Sequence, residues 1–154
     1  MKLKLILVAL VLAVVASCGG NDKKESKAKA APVKEIAKEV KSSNPMDDKG
    51  VGPVKSIILS EIDATLAAKG HEIFKAKCTA CHKIKKRYIG PALKGVTQRQ
   101  SPEWIMNMIL NPEKMIVENE TAKELLAEFS APMANQHLTE EEARAVLEYF
   151  RTKN

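Results

Sequence analysis

The chain has 154 residues, with 25 Lys+Arg against 19 Asp+Glu and a formal net charge of +6. That length accommodates one ordinary domain, or one small domain with appendages. The aromatic residues Phe74, Tyr88, Trp104, Phe129, Tyr149 and Phe150 all lie after residue 73, which argues against a single globule spanning the whole chain. The lysine excess bears on association and does not by itself mark a nucleic-acid binder. The cysteines Cys18, Cys78 and Cys81 are odd in number, and two of them stand three positions apart.

Lys2 and Lys4 precede an unbroken apolar run from Leu5 to Ala16. This run has the length of a signal-peptide core and falls short of the roughly 20 residues that span a bilayer. Val15-Ala16-Ser17-Cys18 resembles the bacterial lipobox, which implies cleavage before Cys18 and acylation of that residue. Several acyl chains anchor a protein stably where one does not. Residues 1–17 therefore read as a lipoprotein signal peptide, and the mature protein as periplasmic and lipid-anchored to a bacterial membrane. An exported protein of this kind has no nucleic-acid partner.

Residues 18–56 read as a lipid-anchored, disordered linker. They are rich in Lys, Ala, Ser, Glu and Asp and punctuated by Asn44-Pro45 and Gly50-Val51-Gly52-Pro53. Such composition buries too little apolar surface to offset ordering entropy. About 35 flexible residues reach roughly 30–35 Å.

Residues 57–154 read as one small domain, all-α, with about four to five helices. Ser60 or Asp63 caps the first helix, and Gly70 inside it implies that another element packs closely there. Ser101-Pro102-Glu103 supplies an N-cap, a proline at the first helical position and an acid in the first turn. Asn111-Pro112 ends that helix and can open another. Thr121-x-x-Glu124 and Thr139-x-x-Glu142 both have capping-box spacing. The last helix aligns Ala143, Val146, Leu147 and Phe150 on one face. This core is thin, so the domain needs a staple or an embedded cofactor.

Cys78-Thr79-Ala80-Cys81-His82 is a C-x-x-C-H motif, the pattern of covalent haem attachment. Two thiols at this spacing reach both vinyl groups of one porphyrin, and the following histidine offers a ring nitrogen to iron. A thioredoxin-like reading lacks its βαβ context. A zinc reading lacks a second ligand pair. One cysteine for lipid and two for haem complete the count.

Around this motif the chain resembles the class I c-type cytochromes, from about residue 62 to 151, in a lipoprotein form similar to respiratory cytochromes c of Bacteroidetes. The resemblance rests on Gly70-x-x-x-Phe74 before the motif, on Gly90-Pro91-Ala92-Leu93, and on Pro132-Met133 ahead of the last helix. It implies a small cytochrome c fold around one covalently bound haem c. Gly70 would let the first helix cross the last near Tyr149 and Phe150. The Pro91 carbonyl, presented beside Gly90, would accept the second ring N–H of His82 and orient it.

The resemblance also places Met133 as the second axial ligand, opposite His82. Met115 and His137 are the competitors, along with an open site; His71 falls on the proximal side, and Met106 and Met108 read as helix filler. Gln98, Arg99 and Trp104 are candidates to hydrogen-bond the haem propionates. His/Met ligation leaves no free iron site and favours one-electron transfer. The implied function is a carrier, not an enzyme. It would link a quinol-oxidising complex or another cytochrome to a terminal reductase or oxidase, nitrous oxide reductase among them. The alternative is a haem enzyme or gas-sensing domain with a weak or open sixth position. Charge is split within the domain: Lys69 to Arg99 holds nine basic residues to one acid, and Gln100 to Asn154 five to ten. Lys83, Lys85, Lys86 and Arg87 directly follow the haem histidine and are expected to form a docking rim.

Overall fold

The computed structural model describes residues 44–154. The segment expected to be a signal peptide, Cys18 and most of the proposed linker lie outside the described residues. Six helices follow one another and, among the described residues, no strand forms: α1 (Ala64–Lys77), α2 (Val96–Arg99), α3 (Pro102–Leu110), α4 (Pro112–Glu118), α5 (Glu120–Phe129) and α6 (Glu140–Arg151). Among these residues no helix is long and apolar enough to cross a membrane.

The frame is the crossing of α1 and α6. A β-carbon on Gly70 would collide with the backbone carbonyl of Ala145, so only glycine permits this approach. The contact brings Phe74 edge-on to Phe150, with ring centroids 5.8 Å apart, and sets it 5.4 Å from Tyr149. His71 extends this cluster by stacking on Tyr149 at 4.9 Å. Asp63 caps α1 by accepting the Leu66 N–H, and Thr139 with Glu142 forms the expected capping box of α6. Ser101 caps α3 with Pro102 in its first turn. The second expected capping box does not form. Asn119, not Thr121, starts α5, because its Oδ1 accepts the Ala122 N–H and leaves Thr121 inside the helix.

Packed structure begins upstream of Ile57, where the sequence places the domain start. Residues 48–57 run as an irregular strap, bent at 51–53, across α3 and the α4–α5 junction, and Val54 is buried. The strap has no helical or sheet partner, so side chains complete its backbone hydrogen bonds. Asn107 accepts the Val54 N–H at 3.0 Å and donates to the carbonyls of Val54 and Lys49, each at 2.8 Å. Asn119 donates to both oxygens of Asp48, and Glu103 accepts the Ile57 N–H. The Val51 N–H points at the Met115 sulfur, 3.0 Å away.

Glu148 is fully buried in α6. It accepts from Arg151, from Arg144 and from the Asp63 N–H at the entry to α1. Burial alone would raise its pKa, but these donors outweigh it and hold the carboxyl below the ordinary value. A depressed native pKa contributes stability above the unfolded value, which is lost as pH falls through the native one. Glu148→Gln is expected to cost roughly 3 kcal/mol near neutrality, because two arginines lose their counter-charge. The variant should also lose less stability than the parent on acidification below about pH 4.5, the ordinary glutamate range. Urea unfolding of the two holoproteins between neutral and acid pH measures both effects.

Candidate haem site

The haem-attachment motif is a single turn running off the end of α1. The Cys78 N–H closes the helix on Phe74, and the His82 N–H bonds back to the Cys78 carbonyl at 2.9 Å. The chain then doubles back. Gly90 donates to the Cys81 carbonyl, Leu93 to Lys83 and Lys94 to Ile84, which sets Gly90-Pro91 against the His82 ring. A β-carbon at Gly90 would lie 2.5 Å from His82 Cε1, so glycine is required for the approach. The next residue supplies the orienting bond: His82 Nδ1 lies 3.2 Å from the Pro91 carbonyl oxygen. With Nδ1 engaged, Nε2 is the ring nitrogen left for a metal. Burial lowers the His82 pKa, and the Pro91 bond opposes this in part. The neutral, ligating form is thus favoured.

Cys78, Cys81 and His82 line one wall of a cleft whose space free of protein atoms, counted out into the open solvent at its mouth, is about 1360 Å³. Its other walls are mostly apolar, with Lys77, Arg99, Gln100 and Gln136 as the polar exceptions. Ile105, Met108 and Ile109 come from α3, Leu125 and Phe129 from α5, and Val146 and Phe150 from α6. Pro132 and Met133 enter from the loop between α5 and α6. His82 and Met133 therefore share this cavity. Met115, the competitor, is wholly buried under the strap with its sulfur facing Val51, and is not among the lining residues. His71 and His137 do not line it either. Met108 does, from mid-helix beside two isoleucines, as part of the apolar wall.

The polar candidates fare unequally. The Trp104 indole N–H, expected to reach a propionate, is donated to Asn119 Oδ1 at 3.0 Å. An indole has one donor, so Trp104 contributes its ring to the wall and no hydrogen bond to a cofactor. Arg99 lines the cavity while donating to the carbonyls of Lys94 and Ala92, which braces the Gly90-Pro91 loop. Gln98 is exposed and outside the lining. Sequence reasoning missed its neighbour Gln100, which lines the cavity with a buried side-chain oxygen that has no protein partner. No sequence signal marks it, since nothing in the polar run Thr97 to Ser101 distinguishes the residue whose side-chain oxygen the fold buries.

These features fit a covalently held macrocycle. Two thiols stand at the wall, a histidine has its Nε2 free, and most of the remaining lining is apolar. Neither cysteine is in a disulfide. Burial, and then Cys81, push the Cys78 thiol up to about 11, the opposite of what a thiol-exchange nucleophile needs. Among the described residues no group of three or more His, Cys, Asp or Glu could hold a metal ion, so a zinc cluster finds no ligand set there.

An all-helical domain with this motif and cavity is of the c-type haem-protein class. A family model described as Cytochrome c matches residues 67–153, more than half of the chain. The chain belongs to the cytochrome c family, and with membership comes one covalently attached haem c. A cytochrome c from Rhodothermus marinus is similar in structure, with a TM-score of 0.64 and 49% identity over 66% of this chain and 88% of that one. An engineered form of that protein, bound to a carbene intermediate, has 49% identity and a TM-score of 0.62. A cytochrome c-553-like protein of Synechocystis is 44% identical over 46 residues, 29% of this chain. The match spans 44% of that relative's length, less than half.

Proposed function

We propose that this protein is a membrane-tethered, monohaem carrier of single electrons outside the cytoplasm, with His82 and Met133 as axial ligands. The observation that carries this reading is the shared cavity, which His82 enters with Nδ1 fixed by Pro91 and Met133 enters from a loop. When bound, haem supplies a one-electron ferric/ferrous couple. The residues around it do the rest. His82 stays neutral and oriented, Met133 closes the sixth position against exogenous ligands, and the apolar wall excludes water and favours the less charged ferrous form. Cys18 provides the lipid anchor. The donor is a quinol-oxidising complex or another cytochrome, and the acceptor a terminal reductase or oxidase, in one case nitrous oxide reductase.

A second reading has support from the engineered Rhodothermus marinus cytochrome that holds a carbene intermediate. In that reading the sixth position opens to small molecules and the protein is a haem enzyme or a gas sensor.

Redox partners meet the basic segment. Lys85 and Lys86 are exposed, beside the cavity-lining and partly exposed Ile89. Lys83 donates to the Thr79 carbonyl, a neutral acceptor, and so keeps its charge and adds to the same field from a half-buried position. Such a rim speeds encounter more than it tightens the complex. Lys85→Glu/Lys86→Glu should slow bimolecular oxidation by ferricyanide about 3- to 10-fold at low salt, leave the potential nearly unchanged, and lose its effect as salt rises. Lys114→Glu/Lys123→Glu changes net charge equally on the acidic half and should slow the reaction much less. Equal slowing by both pairs would place the effect in net charge and count against a local docking rim.

A further inference from the structure

Arg87 lies in the basic cluster that follows His82 and is exposed, yet its guanidinium is engaged within the molecule. Its Nη1 donates to Glu128 Oε1 at 2.6 Å and its Nη2 to the Glu128 main-chain carbonyl at 3.1 Å. Its guanidinium carbon also sits 3.9 Å from the centre of the Phe129 ring. One side chain thus forms an ion pair, satisfies a carbonyl in the last turn of α5 and stacks on the final residue of that helix. Lysine cannot do all three, because it lacks the planar fork.

The position of these contacts gives them meaning. Arg87 belongs to the loop that starts at His82, and Phe129 ends the helix from which the Met133 loop departs. Phe129 and Ile89 both line the cavity. In the loop itself, Met133 and Leu138 pack partly against the core, and the polar ties of Asn135 to the rest of the domain are long. Two non-glycine residues with positive φ bracket it, Ser130 at 51° and His137 at 52°, a backbone state uncommon for such residues. Between them Asn135 makes two long contacts, to the Leu110 carbonyl and to Glu113 Oε2, each at 3.4 Å. The Thr139 capping box fixes the far end. At the near end, the tie to the His82 segment is Arg87.

We propose that Arg87 is a positioning residue for the sixth ligand: a latch from the His82 loop to the end of α5 that limits how often the Met133 loop swings away from the cavity. This rests on the reading of Met133 as ligand. Loop release exposes the sixth position, so the rate at which an added ligand enters reports how often the latch opens. Partner docking needs Lys85 and Lys86, whereas Arg87 serves the inside of the molecule.

The test is imidazole binding to the ferric holoprotein by stopped flow, with the methionine–iron charge-transfer band as the starting signal. Arg87→Ala should keep the band and raise the limiting rate of imidazole entry about tenfold. Arg87→Lys should recover little of the parent rate. Glu128→Gln keeps the carbonyl bond and the stacking, and should raise the rate only two- to threefold. Parent-like rates in both Arg87 variants, with or without a lower thermal midpoint, would overturn the latch. If Arg87→Ala does not fold, Arg87→Lys and Glu128→Gln decide by the same criterion. A parent protein without the band would overturn the Met133 assignment instead, so the two failures are distinguishable.

Discussion

The double variant Cys78→Ala/Cys81→Ala is expected to accumulate without covalent haem and with most of its helical circular dichroism lost. The cavity sits between α2, α3, α5, α6 and the two loops, so much of what would be core is wall facing the cofactor. Without the macrocycle these apolar walls meet water or collapse onto one another, and the net stability of a small domain, about 5–15 kcal/mol at best, does not cover that loss. The α1–α6 crossing and its aromatic cluster are the parts that can persist. A single substitution should leave one thioether and a folded, less stable protein. Full helical signal in haem-free double variant would show that the polypeptide core suffices alone.

Met133→Ala is expected to abolish the methionine–iron charge-transfer band, lower the reduction potential and open the iron to carbon monoxide. Met115→Ala separates ligation from packing. Met115 is fully buried against Gly50 and the strap, so its truncation should cost about 2–5 kcal/mol while leaving the band intact. Visible spectra and urea unfolding of the two variants give four results, and the account requires a crossed pattern. A band lost in Met115→Ala and kept in Met133→Ala would exchange the roles of the two sulfurs.

Much of the site was legible because its chemistry is local. The C-x-x-C-H turn, the glycine before Pro91 and the glycine at the helix crossing each act within one turn or one close approach, and each leaves a residue type that nothing else explains. The strap is a different case. Residues 48–57 have a linker's composition, and what holds them are the side chains of Asn107, Asn119 and Glu103, some 46 to 71 residues further on. Hydrogen bonds between distant side chains and an irregular segment leave no periodicity, so the domain start reads late. The same distance hides the fate of the Trp104 indole, which meets Asn119, and of Arg87, which counts as a docking charge until Glu128 is seen beside it. Asn119 also displaces the apparent capping box at Thr121, because an asparagine two residues earlier already caps the helix and binds Asp48.

The reaction of the reduced holoprotein with carbon monoxide, read together with the ferric absorption spectrum, distinguishes closed from open ligation. Closed His82/Met133 ligation predicts a methionine–iron band in the ferric form, and carbon monoxide uptake in the ferrous form that is negligible or limited by slow loop release. Rapid, complete carbon monoxide binding by a protein without that band would contradict the account, and would make the open-site enzyme or sensor the correct reading.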